Sequence, residues 1–233
     1  MSNELIEEGK KKAAIKAVEE NIEANMILGI GSGSTVIYAV EKIARLNMEN
    51  NLNLKCIPTS FQSYQLIIKN NLDLVSLDQF PEIDLDIDGA DEIDKHLNLI
   101  KGGGGCLVQE KIVASCSKKL VIVADFRKNS TILGENWKKG VPIEVIPIAY
   151  IPLIKKFQQL GGKPILRMAK EKAGPLITDN GNFILDVDFG TIENPEGLND
   201  LILKIPGVVD TGLFIKMASK AYIGQKNGEV LVL

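Results

Sequence analysis

The chain has 233 residues, of which 45% are hydrophobic and 24% are charged, and its formal net charge is −3. This length and apolar content allow a buried core in one large domain or two smaller ones, and they exclude a disordered chain. The small negative charge, with no dense block of lysine or arginine, argues against a nucleic-acid partner but leaves room for a small basic pocket.

The sequence also lacks the usual signs of export and membrane insertion. The N-terminal segment has no apolar centre of the kind found in signal peptides, and no apolar run approaches the ~18 residues of a membrane span. Cys56, Cys106 and Cys116 show no CxxC spacing and cannot all pair, which is typical of a reducing compartment. We expect a cytoplasmic protein with three small, buried thiols and no membrane partner.

The first half of the chain predicts alternating strands and helices. Residues 3–20 form an imperfectly amphipathic helix, and residues 26–30 form a short buried strand that runs into a glycine turn and a second helix. Further elements follow as a strand at 54–58, a helix near 61–70, and strands near 72–76, 82–88 and 119–124. This order predicts a doubly wound, Rossmann-like parallel sheet.

The first turn, GIGSGST, resembles a dinucleotide-binding fingerprint but lacks two of its requirements. Ser34 stands where the third glycine belongs, and the second strand ends in Pro58-Thr59-Ser60 instead of an acidic residue. No lysine follows as a nucleotide P-loop requires. The turn therefore indicates either a phosphate cup at a helix N-terminus or a tight turn capped by serine or threonine.

The most informative stretch, residues 84–110, combines five aspartates with a run of four glycines. The strand at 82–88 ends at Gly89, so Asp88 lies at its carboxyl end, where an open α/β sheet binds ligands. The glycines bring backbone N–H groups close to a ligand at the start of a helix. Both features predict a binding crevice at this end of the sheet.

The helix after the four glycines carries apolar residues at 108, 112 and 116, which predict its buried face. Glu110 is about 200° around the helix from Val108, so we expect it to point away from that face. The next strand ends at Asp125, and Arg127 and Lys128 follow it. These two cations either face the same crevice or form a solvated basic turn.

The pattern changes near residue 134, where Gly134-Glu135-Asn136 indicates a linker. The segments that follow have the order β-α-β-β-α-β, which is typical of a ferredoxin-like unit: VPIEVIP, YIPLIKKFQQL, PILRMA, FILDVDF, GLNDLILKI and VVDTGLF. An Asn227-Gly228 hairpin signal predicts C-terminal strands that return to the first sheet. The predicted domains are 1–133 with 213–233, a Rossmann-like catalytic domain, and 134–212, an inserted α+β lid domain.

Metal and histidine chemistry have little support in the sequence. The single histidine, His96, lies in the charged turn DKHLN, which leaves no material for a histidine-based triad or a multi-histidine metal site. Asp84, Asp86 and Asp88 resemble the opening of a calcium loop, but its twelfth position is Lys95 instead of glutamate. We expect no metal.

The residues left for proton transfer are Asp88, Asp91, Lys101 and Glu110. A glutamate near a lysine and a glycine loop is suited to remove a proton from carbon next to a carbonyl, while the lysine and loop N–H groups hold the enediolate oxygen. Each residue alone has a plainer explanation, as a solvated helix residue or a cap. Because all four are expected at the same end of the predicted sheet, a catalytic site is favoured.

Four segments in this order, GSGST, DGADEID, KGGGGCLVQEKIVAS and ADFRK, closely resemble ribose-5-phosphate isomerase of the A type. The likeness continues through PIEVIP, TDNGNFILD and IPGVVDTGLF, over nearly the whole chain. The resemblance implies a cofactor-independent enzyme that interconverts D-ribose 5-phosphate and D-ribulose 5-phosphate. It also implies a Rossmann-like domain, a ferredoxin-like lid and a homodimer or homotetramer.

Carried onto this sequence, the resemblance makes Glu110 the base that moves a proton between C1 and C2 through an enediol. Asp88, Asp91 and Lys101 would serve ring opening and proton movement among the sugar hydroxyls. The implied substrate-binding residues are Ser32, Gly33, Ser34, Thr35, Gly89, Ala90, Gly102, Gly103, Gly104 and Lys128. Lys11 matches a further phosphate contact in a loose register.

Two other functions stay open at this point. A sugar-phosphate sensor domain on the same scaffold would normally carry a DNA-binding helix-turn-helix, for which we expect no room before residue 26. A related sugar-phosphate deaminase or lactonase would need a histidine among its catalytic groups, and His96 is the single candidate.

Overall fold

Two sheets dominate the computed structural model, which describes residues 3–233. Strands are numbered along the chain. The large sheet has seven strands, in the spatial order β14 (Val230–Val232), β13 (Ala218–Gly224), β7 (Leu120–Asp125), β4 (Leu85–Asp88), β1 (Ile27–Ile30), β2 (Lys55–Pro58) and β3 (Asp73–Leu74). Neighbours are parallel except β13 and β14, which are antiparallel. The C-terminal hairpin therefore returns to the first sheet, as predicted.

Four helices accompany the large sheet: α1 (Asn3–Asn21), α2 (Ser34–Asn50), α3 (Phe61–Lys69) and α4 (Leu107–Ser115). Successive side chains of β7 pack into two different hydrophobic clusters. Val121 and Val123 pack with α1 and α2, whereas Leu120 and Ile122 pack in a second cluster with Phe214. This arrangement confirms the predicted Rossmann-like α/β class. Among the described residues, no helix combines the length and apolarity needed to cross a membrane.

The second sheet has four strands and two helices. It comprises β8 (Val141–Val145), α5 (Tyr150–Gln159), β9 (Lys163–Leu166), β10 (Phe183–Asp188), α6 (Pro195–Leu203) and β11 (Val208–Thr211). The spatial order is β11-β8-β10-β9 with all neighbours antiparallel, so the fourth strand of this unit lies beside the first, and the third beside the second. This confirms the predicted ferredoxin-like class.

The single strand predicted over VVDTGLF is wrong, because the chain leaves the second sheet at Gly212. The next strand, β12 (Leu213–Phe214), joins a small third sheet with β6 (Leu99–Ile100) and β5 (Glu92–Ile93). Gly212 donates its N–H to the Pro142 carbonyl, and its own carbonyl accepts from the Lys101 N–H. A Cβ at Gly212 would lie 2.3 Å from the Lys101 carbonyl oxygen, so the close crossing requires glycine.

Gly134-Glu135-Asn136 is also not a free linker. The Glu92 carboxylate, fully buried in β5, accepts hydrogen bonds from the Gly134 N–H, the Asn136 N–H and the Ser130 hydroxyl, each at 2.6 Å. A buried carboxylate needs such donors, because an unsatisfied one is costly. The segment that enters the second sheet is therefore fixed to β5 of the small third sheet.

Two glycines of the first strand make room for carboxyl groups on β4. A Cβ at Gly29 would lie 2.7 Å from Asp86 Oδ1, and one at Gly31 would lie 2.1 Å from Asp88 Oδ1. Asp86 is completely buried, and neither of its oxygens has a hydrogen-bond partner among the described residues. Burial, reinforced by the Asp88 carboxylate, raises the pKa of Asp86 well above 3.8 and so favours its neutral form.

We expect Asp86 to make folding pH-dependent. The unfolded chain ionises this residue near its ordinary pKa of 3.8 while the folded chain keeps the proton. Its contribution to stability is therefore complete below that pH and is lost as the pH rises toward the folded pKa. Relative to Asp86→Asn, the free energy of unfolding of the unsubstituted chain should fall by up to about 1.4 kcal/mol per pH unit in this window.

Urea unfolding at pH 5 and pH 8 measures this difference. Asp78→Asn, at an exposed position, controls for the general loss of one carboxyl group. Suppose that the free energies of unfolding of Asp86→Asn and of the unsubstituted chain differ by the same amount at pH 5 and pH 8. Asp86 then does not hold a proton in the folded state.

Candidate active site

A cavity of about 320 Å³ lies at the carboxyl ends of the central parallel strands. It brings together the first turn, the loop after β4, the glycine loop before α4 and the segment after β7. The lining residues are Lys10, Ser32, Gly33, Ser34, Thr35, Gln62, Gly89, Ala90, Asp91, Lys101, Gly102, Gly103, Gly104, Cys106, Glu110, Asp125, Arg127 and Lys128. Asp88 is the one residue of the predicted site outside this lining.

Lys101, which follows β6, lies at the centre of the charged groups. Its Nζ is 2.7 Å from the Gly89 carbonyl oxygen, 2.8 Å from Asp88 Oδ2 and 3.3 Å from Glu110 Oε1, and its side chain is only 3% exposed. Burial by itself lowers the pKa of Lys101, but the two carboxylates outweigh it and hold that pKa above its ordinary value. The cavity therefore contains a permanent, fixed cation.

Glu110, in the first turn of α4, is buried against this cation. Its Oε1 faces Lys101, whereas Oε2 is buried without a hydrogen-bond partner among residues 3–233. Burial raises the pKa of Glu110 to about 8, although Lys101 acts in the opposite direction. Such a carboxyl group can accept a proton near neutral pH and retains an oxygen with which to do so.

The predicted buried face of α4 is correct at Val108 but wrong at Ile112. Leu107, Val108, Glu110, Val113 and Ala114 are buried, whereas Ile112 is 47% exposed. The reason is that two units cover this helix: Val113 packs in a cluster with Ile57 and Ile83, and Leu107 and Val108 pack with Ile184 of the second sheet. The plainer explanation of Glu110, as a solvated helix residue, is excluded.

Asp88 connects two loops and the buried lysine. Its Oδ1 accepts hydrogen bonds from the Ser32 N–H at 2.9 Å and the Gly89 N–H at 2.7 Å, and its Oδ2 pairs with Lys101. The side chain is 1% exposed, beneath the cavity. Asp88 therefore fixes the groups around it.

The first turn leaves the start of α2 open. Gly33 precedes the helix with φ 111°, and no side chain caps it, so the alternative of a serine- or threonine-capped turn is wrong. The Ser32 hydroxyl donates to the Ser60 hydroxyl at 2.6 Å, and the Gly33 N–H donates to Gln62 Oε1. Ser34 and Thr35, in the first turn of the helix, face the cavity, where a helix N-terminus attracts anions.

Three further cations line the cavity. Lys128 Nζ is 4.0 Å from Asp91 Oδ1 and 5.1 Å from the Trp137 ring centroid. Arg127 is engaged by Asp125 through Nε at 2.7 Å and Nη2 at 2.9 Å. Burial raises the pKa of Asp125, but these bonds outweigh it and lower that pKa. A freely solvated basic turn is therefore wrong for this segment.

The third cation is Lys10, which the sequence analysis missed in favour of Lys11. Lys10 is 8% exposed and lines the cavity, whereas Lys11 is exposed to solvent. The spacing indicates that Lys10 is buried, because the buried face of α1 has intervals of four, three and four residues: Ile6, Lys10, Ala13 and Ala17. Arg127 lines the cavity, as one of the two alternatives for this segment expected. Gln62, Cys106 and Asp125 are further lining residues without a predicted role.

His96, Cys56 and Cys116 lie outside the cavity lining, whereas Cys106 is part of it. His96 lies in the turn between β5 and β6, where its N–H donates to Asp94, and it does not line the cavity. Cys56 is buried as predicted, but Cys106 and Cys116 are half-buried, and all three are free. Within residues 3–233, no group of three or more histidine, cysteine or acidic side chains is arranged to hold a metal ion.

Comparison with known proteins identifies the family. The family described as ribose 5-phosphate isomerase A (phosphoriboisomerase A) matches residues 55–228. The chain belongs to this family. A ribose-5-phosphate isomerase from Sus scrofa is 57% identical over 225 residues, covering 96% of this chain and 74% of the relative. One from Dictyostelium discoideum is 56% identical over 222 residues, covering 94% of each.

Solved structures of the ribose 5-phosphate isomerase A family have the same fold. That of ribose 5-phosphate isomerase A from Methanocaldococcus jannaschii superposes with a TM-score of 0.91 at 40% identity, covering 100% of this chain and 99% of that one. A D-ribose-5-phosphate isomerase in complex with phospho-erythronic acid gives a TM-score of 0.93 at 38% identity, with the same coverage. The likeness therefore extends over both sheet units.

Proposed function

We propose that this chain interconverts D-ribose 5-phosphate and D-ribulose 5-phosphate, with Glu110 as the base that moves the proton. The observation that carries the proposal is the Glu110 carboxyl group, which is buried at the cavity with one oxygen beside Lys101 and the other unpaired. Membership of the ribose 5-phosphate isomerase A family supports the reaction. The reaction rearranges electrons within the sugar, so it needs no redox cofactor.

The proton transfer follows from this placement. Glu110 takes the proton from C2 of the open-chain aldose to give a C1–C2 enediolate; a proton moves from the C2 hydroxyl to the C1 oxygen, and Glu110 returns its proton to C1 as the C2 carbonyl forms. Negative charge develops on the former aldehyde oxygen. The Lys101 ammonium is a fixed donor beside Glu110, and such preorganised charge stabilises an enediolate more effectively than water does.

The two aspartates have different roles in this proposal. Asp91 lines the cavity and can exchange protons with the sugar hydroxyls during ring opening. Asp88 is buried below the cavity, where its Oδ1 accepts from the Ser32 and Gly89 N–H groups and its Oδ2 faces the Lys101 ammonium at 2.8 Å. Asp88 therefore acts by holding Lys101 and the two loops, while Gly89, Ala90 and the glycine loop shape the space for the sugar.

The phosphate group is assigned to the opposite end of the cavity. The N-terminus of α2 at Ser34 and Thr35 supplies backbone N–H groups and hydroxyls, and Lys10 and Lys128 supply positive charge. Both cations line the cavity but are separate from the Lys101 cluster. A phosphate held here leaves the carbonyl end of the sugar near Glu110.

The domain and assembly predictions belong to the same proposal. We expect residues 134–212 to act as a lid over the catalytic unit formed by 1–133 with 213–233. We also expect a cytoplasmic homodimer or homotetramer, and the exposed Ile148 and Ile165, at 89% and 69%, offer apolar surface on the second sheet unit. Light scattering after size-exclusion chromatography measures the oligomeric state.

Glu110→Gln tests the function directly. The unsubstituted chain, incubated with ribose 5-phosphate and EDTA, should form the ketose, and Glu110→Gln should lower kcat by about 10²- to 10⁴-fold because the amide cannot accept the proton. Binding of the sugar phosphate, measured by calorimetry, should persist. Glu82→Gln, at an exposed position, is the matched control. An inactive unsubstituted chain would remove the isomerase assignment, and full activity in Glu110→Gln would remove the base.

The pH dependence of kcat/KM reports the ionisation of Glu110 in the free enzyme. The base works as the carboxylate, and burial holds its pKa at about 8, so kcat/KM should rise with pH across a limb well above 4.5. Lys101→Met removes the cation that lowers this pKa, so its residual activity should rise at still higher pH. Rates of the unsubstituted chain and of Lys101→Met between pH 5 and 9 locate the rising limb of each. A limb centred near 4.5 would contradict the buried base.

Lys10 and Lys11 form a matched pair for the phosphate assignment. Lys10→Met removes a cation from the cavity and should raise KM about tenfold with a smaller change in kcat, since ground-state binding is lost. Lys11→Met removes the neighbouring exposed cation and should leave both constants unchanged. Steady-state kinetics on the two variants suffices, and equal effects would show that Lys10 has no special role.

A further inference from the structure

The glycine loop before α4 is held from outside the cavity by an arginine of the second sheet unit. Arg167 directly follows β9, and its side chain is 15% exposed. Its Nε donates to Asp186 Oδ2 at 2.8 Å, and its Nη2 pairs with the other oxygen of the same carboxylate. Its Nη1 donates to the Gly102 carbonyl at 2.8 Å and to the Gly103 carbonyl at 3.3 Å.

Arg167 and Asp91 together hold one peptide group at both ends. The Gly102 carbonyl accepts from Arg167, and the Gly103 N–H of the same peptide donates to Asp91 Oδ2 at 2.6 Å. The peptide is planar and trans, so these two bonds fix its rotation. The Gly102 carbonyl also accepts from the Gly105 N–H at 2.9 Å, so a tight turn within the loop acts on the same peptide as these two long-range bonds.

The next peptide group presents a free donor as a result. The Gly103 carbonyl also faces Arg167, so the Gly104 N–H, on the opposite side of that trans peptide, points away from the arginine. Gly104 lines the cavity, and a Cβ there would meet nothing within 4 Å. Among residues 3–233, no group accepts a hydrogen bond from this N–H. It is available to a ligand oxygen.

We propose that Arg167 is a positioning residue for the isomerisation: by fixing the Gly102–Gly103 and Gly103–Gly104 peptides, it keeps the Gly104 N–H directed at the substrate oxygen that becomes negative. The inference rests on the proposed function. Arg167 does not line the cavity, so it acts on the substrate only through the loop. Asp186 orients the planar guanidinium, whose fixed fork lets it serve a carboxylate and two carbonyls together.

The alternative is that Arg167 only joins two neighbouring strands through Asp186. The two roles differ in what they change. A stabilising ion pair affects the free energy of unfolding and leaves the chemistry intact, whereas a misdirected loop weakens binding of the charged intermediate more than binding of the substrate. Arg167 bonds to Asp186, Gly102 and Gly103 and to none of the residues assigned to the phosphate, so binding of inorganic phosphate should not respond.

Arg167→Met tests the proposal, with Arg167→Lys and Arg45→Met alongside it. Arg45 lies exposed in α2 and provides the same substitution away from the site. In Arg167→Met, kcat should fall about 10- to 100-fold with KM changed less than about threefold, since small misplacements of catalytic groups cost rates of that order. Arg167→Lys should retain part of kcat, and Arg45→Met all of it.

Ligand binding separates positioning from folding. Affinity for phospho-erythronic acid, whose carboxylate resembles the enediolate, should fall in Arg167→Met, whereas affinity for inorganic phosphate should not change. Calorimetry at the temperature of the kinetic assay, with circular dichroism to verify folding, provides both values. Unchanged kcat in folded Arg167→Met, or parallel losses of both affinities and of thermal stability, would overturn the inference. An inactive unsubstituted chain would instead overturn the proposed function.

Discussion

The site depends on one buried cation. Lys101 is almost closed to water, and an ammonium group in such a place is stable only while carboxylates and hydrogen-bond acceptors surround it. Asp88 supplies one partner from β4 and Glu110 another from the start of α4. The cation thus fixes three segments of chain and sets the position of the base. The same burial that makes Lys101 dependent on its partners raises the pKa of Glu110.

The buried carboxyl groups of β4 explain why glycine occupies positions 29 and 31. Gly31 provides the space that the Asp88 carboxylate occupies, and Gly29 does the same for Asp86. A pattern that resembles a dinucleotide fingerprint therefore has a different physical origin here, namely room for side chains of the neighbouring strand. The open helix start that follows these glycines completes the other end of the cavity.

The fold class was accessible from the sequence because it depends on local patterns and their order. Alternation in the strands, glycine turns and the β-α-β-β-α-β succession are each readable within a few residues. Asp88, Asp91 and the glycine loop were accessible for a similar reason, since residues at the carboxyl ends of parallel strands meet at one edge. Their roles were implied by resemblance and stay proposals.

What the sequence did not reveal depends on contacts between distant segments. The burial of Glu110 requires the second sheet to cover α4, and the burial of Lys10 requires α1 to pack on the large sheet. Arg167 reaches Gly102 across 65 positions of chain. The division of VVDTGLF at Gly212 results from its bonds to Pro142 and Lys101. Of these, only the burial of Lys10 leaves a mark on the local pattern, in the spacing of the buried face of α1.

The Glu92 carboxylate and Gly212 mark the two places where the chain passes between the sheet units, and both crossings are tied by hydrogen bonds. Hydrogen bonds therefore hold the inserted unit both where the chain enters it and where the chain leaves it. Because both crossings are tied, little freedom of the inserted unit to rotate on the rest of the chain remains to be lost when a ligand binds.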